Sequence, residues 1–73
     1  MSKIRREPDA VLAARLKALR RDRQISQAQL AEMVDRTEQC IRLYENGRLG
    51  ISPPMLERLA SALGTTAEQL DKT

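Results

Sequence analysis

Thr37, Glu38, Gln39 and Arg42 stand within six consecutive positions, and each ends in a group that donates or accepts hydrogen bonds. Together they offer a hydroxyl, a carboxylate, a carboxamide and a guanidinium, a set suited to holding another molecule by directed hydrogen bonds. Bond-breaking chemistry is not expected. The 73 residues contain no histidine, no glycine-rich phosphate loop and no nucleophile paired with a base, and so small a core leaves no room for a substrate cleft. One cysteine, Cys40, cannot close an internal disulfide, and without histidine a transition-metal site is not expected. No cofactor is expected either. Cys40 reads as a small side chain on the same helix, with a redox-sensing thiol as the alternative.

Those four residues need a helix to display them, and the segment from Ser26 to Gly47 supplies it. It reads as two short helices around a tight turn, the second stopped by Asn46-Gly47. Such a pair is a helix-turn-helix, whose second helix is shaped to lie in the major groove of DNA and touch base edges with its first residues. Gln27 opens the first helix of the pair. Ala31, four residues later, falls where two backbones cross too closely for a larger side chain. Ile41 and Tyr44 share a face with Leu30 and Val34 and close the core beneath the turn. The other face of the second helix is left to Thr37, Glu38, Gln39 and Arg42. A helix merely facing solvent would be polar there as well, so the pattern alone does not choose between a solvated face and a reading face.

Local punctuation fixes the boundaries. Ser26 with Gln29 forms a capping box, Thr37 is an N-cap, and Gly47 supplies a left-handed stop. Ser52 before Pro53 starts a fourth helix that runs to about Leu63, with Gly64 as its stop. Thr66 with Gln69 repeats the capping-box pattern and opens a short fifth helix. Asp9 can cap a first helix that has Leu12, Leu16 and Leu19 on one face. The expectation is an all-α, compact five-helix bundle without strands, since no stretch alternates polar and apolar residues for long enough.

Composition agrees with one small domain, whose folding buries only about 60% of the unfolded surface. With no Phe or Trp and a single Tyr, the core must be aliphatic, and Leu12, Leu16, Leu19, Leu30, Val34, Ile41, Leu56, Leu59, Leu63 and Leu70 are its expected members. No apolar run approaches the length of a membrane span, and no signal-peptide stretch opens the chain, so a cytoplasmic protein is expected. Charge is uneven. Residues 1–25 hold eight Lys or Arg against three acids, a net of +5, whereas residues 26–73 hold five against seven, a net of −2. A basic leading segment and a sequence pI near 9.6 suit a polyanionic partner. Residues 1–8, with Lys3, Arg5, Arg6 and Pro8, read as an unstructured basic arm that either follows DNA phosphates or keeps the chain soluble. Residues 9–73 form the domain.

From Leu16 to Leu70 the sequence resembles the phage repressor and Cro type of helix-turn-helix domain, the XRE family. The resemblance rests on Leu19-Arg20, Ile25-Ser26-Gln27, Leu30-Ala31, Ile41, Tyr44, Glu45-Asn46-Gly47, Leu59-Ala60 and Ala62-Leu63-Gly64. It implies a lambda-repressor-like five-helix fold and a sequence-specific regulator of transcription that binds operator DNA, usually as a homodimer. By position, it gives Gln27, Asn46 and Arg48 to DNA phosphates, contacts that set register and salt-dependent affinity. It gives Thr37, Glu38, Gln39, Arg42 and Leu43 to bases. Gln pairs with adenine, Arg with guanine, Glu accepts from the cytosine amino group, and Leu or Thr touches a thymine methyl. Arg20 and Glu45 resemble the family's internal ion pair.

Two features depart from the family. Asp35 stands at the turn position where the family commonly has glycine, which costs something in the left-handed conformation. Asp35 and Glu38 also put carboxylates near the expected phosphates, with Arg36 and Arg42 to offset them. The alternative function is a protein-interaction module or an antitoxin on the same fold; a pure adaptor need not keep Gln27, Gln39, Arg42, Asn46 and Arg48 together. A homodimer is expected from the shortness of the reading helix and the family's C-terminal partner surface. Within Thr65–Thr73, Leu70 is the only large apolar side chain, available either to the core or to that surface.

Overall fold

Asp9 starts the first helix by accepting, through its carboxylate, the free backbone N–H groups of Val11 and Leu12 at 3.0 and 3.1 Å. The computed structural model describes residues 9–71, and the expected basic arm of residues 1–8 lies outside them. Five helices follow in order: α1 (Ala10–Asp22), α2 (Gln27–Met33), α3 (Glu38–Glu45), α4 (Pro53–Ala62) and α5 (Ala67–Asp71), with no strand among the described residues. The all-α, five-helix architecture expected from the sequence is the one observed.

Each start follows its cap. Ser26 Oγ accepts from the Gln29 amide at 3.0 Å while Gln29 Oε1 accepts from the Ser26 amide at 2.8 Å, so both limbs of the capping box are made. Thr37, Ser52 and Thr66 accept from the backbone N–H three residues on, at 3.1, 3.4 and 3.1 Å. Pro53 and Pro54 occupy the first turn of α4, where their missing N–H groups are not needed. Gly47 and Gly64 stop α3 and α4 with φ of +68° and +76°. A Cβ on Gly47 would meet Ala10 Cα at 3.7 Å and Ala13 Cβ at 3.8 Å, ordinary contacts, so the dihedral rather than space demands glycine there. The same contacts seat the end of α3 against the start of α1.

The core is aliphatic apart from Tyr44. Leu16, Leu30, Ile41 and Leu59, one from each of the first four helices, are fully buried, as is Leu63, the C-cap of α4. Burial of one such side chain stabilises by about 1.5–3 kcal/mol, which a domain this small depends upon. Of the expected core, Leu19 is only half-buried, packed at the edge where α1 meets α5. Ala13, Ile51, Met55 and Ala60 are buried in addition. Leu70 is 3% exposed, so it fills the monomer's core.

Among the described residues, two other than glycine are left-handed, Asp35 and Gln24, each with φ of +59°. Asp35 accepts that strain in the turn between α2 and α3, where the Arg36 amide reaches back to the Ala31 carbonyl at 2.8 Å. Gln24 does the same in the corner between α1 and α2, where the Ile25 amide bonds to the Arg20 carbonyl at 3.1 Å. Beside it, Arg23 Nε donates to the Leu63 carbonyl at 2.9 Å, closing the free end of α4 from across the domain.

Candidate nucleic-acid interface

The alternation of faces on α3 sets up the site. Ile41, Tyr44 and Glu45 are buried, while Thr37, Glu38, Gln39 and Arg42 are exposed and Leu43 and Cys40 are half-buried. Cys40 is a free thiol. The exposed residues form a row along one side of an eight-residue helix whose other side is fixed to the core. Thr37 serves as N-cap, so its hydroxyl oxygen is engaged by the Cys40 amide, leaving its proton and methyl group to face outward. Glu38 and Arg42, one turn apart, form an ion pair at 3.5 Å with both side chains about half exposed. Two of the expected base readers are thus paired with each other.

Behind this row lies a second, buried ion pair. Arg20 Nε donates to Glu45 Oε2 at 2.6 Å and Nη2 donates to Oε1 at 3.0 Å, a fork-to-fork arrangement linking α1 to α3. Nη1 of the same guanidinium donates to the Ile25 carbonyl at 2.8 Å, just before α2. Gln27 Nε2 donates to Glu45 Oε1 at 3.1 Å. The Glu45 carboxylate therefore accepts three hydrogen bonds from two helices, and no buried side-chain polar atom is left unsatisfied among the described residues. The Arg20–Glu45 pair expected from the resemblance is present.

The tie between Gln27 and Glu45 was not legible from local pattern, and it has a geometric result. It holds the first residue of α2 beside the last residue of α3, next in the chain to Asn46 and close to Arg48, both exposed. Gln27, Asn46 and Arg48 gather at the C-terminal end of α3. Thr37, Glu38 and Gln39 lie at the other end, about 12 Å away by helical rise. Burial pushes the Tyr44 phenol above its ordinary range, a hydrogen bond and the charge of Cys40 add to this, and Arg36 opposes it. The phenol is therefore protonated at neutral pH. The folded state holds that proton more tightly than the unfolded chain does. The associated stability is present below the ordinary tyrosine pKa of about 10 and is lost as pH rises through the higher folded value.

Two helices held at a tight turn, with a hydrogen-bonding row on the second and polar side chains at its far end, define a helix-turn-helix protein. Residues 11–72 match the family described as helix-turn-helix domain, and the chain belongs to that family. Its arrangement is that of the phage repressor and Cro type. Among solved structures, it is similar to the clp gene regulator ClgR from Corynebacterium glutamicum, with a TM-score of 0.81 and 26% identity over 84% of this chain and 65% of that one. The restriction-modification controller protein C.AhdI from Aeromonas hydrophila gives a TM-score of 0.80 and 26% identity over 84% of this chain and 92% of that one. Hydroxypropylphosphonic acid epoxidase from S. wedmorenis gives 0.79 and 27% identity, over 89% of this chain but 35% of the enzyme. This chain thus spans less than two thirds of the ClgR chain and about a third of the epoxidase. A search of curated proteins found no match. No helix among the described residues is long and apolar enough to cross a membrane.

Proposed function

We propose that this protein is a DNA-binding regulator of transcription that works in the cytoplasm, binds operator DNA as a homodimer and reads the major groove with α3. The observation that supports the reading is the exposed row Thr37, Glu38, Gln39 and Arg42 on a helix whose opposite face is buried. In this reading Gln39 and Arg42 bond base edges, Glu38 accepts from a cytosine amino group, and Thr37 and Leu43 touch thymine methyls. Gln27, Asn46 and Arg48 hold phosphates and fix the register of α3 in the groove. The positive end of the α2 dipole strengthens the Gln27 contact.

Two copies are needed because one short helix meets too few base pairs for the usual specific affinity of about 10⁻⁸ to 10⁻¹¹ M. Catalysis forms no part of the proposal. The epoxidase shares only the part of its chain that matches this domain, and the regulators share the larger fraction of theirs. Selection of bound sequences from a random DNA pool tests the function. The expected result is an enriched near-palindrome with half-site centres about one helical turn, 34 to 36 Å, apart. A pool that stays unenriched would instead favour a protein-interaction or antitoxin role.

A further inference from the structure

Arg15, Ala18, Leu19 and Asp22 follow one another on α1 at spacings of three, one and three, the positions that share a single face of a helix. All four line a groove between α1 and α5, whose remaining wall includes Gln69 and whose floor includes Leu70. Val11, one turn before Arg15, continues the stripe and is 54% exposed, as much as any large apolar side chain among the described residues. Leu19 lies half-buried in the middle of it.

The order of these residues is its own complement. A two-fold axis passing between Ala18 and Leu19, perpendicular to α1, brings residue 15 of one copy opposite residue 22 of the other, and residue 18 opposite residue 19. Arg15 then meets Asp22 twice, and the small Ala18 lets the helices approach where Leu19 from each side fills the space. Such self-complementarity is what an isologous contact requires. The neighbouring grooves lack it. Among the described residues, the one between α4 and α5 carries charges of one sign, Glu57, Glu68 and Asp71, so its order is not its own complement. The one between α2 and α4 sets Asp35 and Glu57 against Arg58 alone, and it takes in the turn before α3.

We propose that the α1 stripe is the surface on which a second copy of this chain docks, with the two α1 helices antiparallel and each seated in the other's groove beside α5. The inference rests on the homodimer reading and names the surface it uses. The expected C-terminal surface is modified accordingly: α5 contributes the wall of the groove through Gln69, while Leu70 supports it from within. None of the residues given to DNA lies on the stripe, so α3 stays free in both copies.

Charge reversal tests this directly by sedimentation of the full chain, with and without operator DNA. Arg15→Glu and Asp22→Arg should each raise the dimer dissociation constant at least about tenfold, since each replaces two attractions with two repulsions. The double variant, which exchanges the charges, should recover most of the loss. Thermal melting by circular dichroism checks that each variant remains folded, as the side chains concerned lie at the surface. A second measurement is independent of charge: Ala18→Cys in a Cys40→Ser background should form an intermolecular disulfide on mild oxidation. If the wild-type chain dimerises while both single reversals leave its dissociation constant unchanged, this surface is wrong and the dimer stands. A wild-type chain that stays monomeric on DNA of every sequence overturns the dimer reading and this surface with it.

Discussion

Two ion pairs sit on α3, one at each end, and they differ in everything except their chemistry. Glu38–Arg42 lies along the exposed face, 3.5 Å apart, with both side chains about half in water. Arg20–Glu45 is bidentate, its side chains 9% and 1% exposed, and a third donor from Gln27 completes it. In water the first pair is worth a few tenths of a kcal/mol, because solvent screens it and two long side chains give up rotamer freedom. For the second, solvation has been exchanged for a closed set of hydrogen bonds, and removing either member strands a buried charge. The pair that is cheap to separate is the one on the face proposed to read DNA. A ligand can take Arg42 from Glu38 at small cost, whereas nothing short of unfolding parts Arg20 from Glu45.

That contrast is most severely tested at the buried end. We predict that Arg20→Ala or Glu45→Ala lowers unfolding free energy by about 3–5 kcal/mol in urea titrations, a large part of the total for a domain of this size. Replacing both, with Arg20→Met and Glu45→Leu together, should cost far less, since no charge is then left unpaired. Equal losses in the single and double variants would sink the argument.

At the exposed end the effect moves from stability to recognition. Arg42→Ala and Gln39→Ala should each weaken binding to the preferred site by about 1–3 kcal/mol and relax selectivity at one base position, with melting unchanged. Fluorescence anisotropy against a panel of single-base variants reads both quantities. Full affinity and unaltered selectivity in both variants would mean that this face reads nothing.

A smaller and different signature is expected for the clamp. Arg48→Ala should weaken binding to all sequences alike and lower the salt slope by about one unit. Gln27→Ala, which removes no charge, should weaken binding with the slope intact. The smallest change concerns Glu38→Gln. Stability should shift by no more than about 0.5 kcal/mol, while non-specific affinity rises because a carboxylate near the phosphates is gone. A stability loss of several kcal/mol there would erase the distinction between the two pairs.

Much of this architecture is written locally. Ser26 with Gln29, Thr37, Ser52-Pro53, Gly47 and Gly64 mark where helices start and stop, and each mark acts within three or four residues of itself. The exposed row on α3 follows from helical spacing in the same way. What escaped is non-local or lacks a residue signature. Glutamine has no special claim to positive φ, so Gln24 gave no warning of its left-handed turn. Ile51 belongs to the core through the path of the α3–α4 connection, which no periodicity describes, whereas Met55, one turn before Leu59 on α4, follows helical spacing. Gln27 was assigned to phosphate by resemblance, but its bond to Glu45 spans 18 residues and depends on how α2 and α3 cross. Leu70 could be read toward core or partner until α5 was seen folded over α1.

Arg23 reaches 40 residues along the chain to hold the Leu63 carbonyl, and the same guanidinium pairs with Asp22 at 2.9 Å. The corner after α1 and the terminus of α4 are therefore fastened to each other, although exposed Arg23 and buried Leu63 lie far apart in the chain. In native-state hydrogen exchange such a link merges two regions that would otherwise fray separately. The amides of Gly64 and Thr65 should open in step with those of Gln24 and Ile25. Arg23→Ala should uncouple them, giving the α4 terminus faster exchange while amides of the buried core keep their protection.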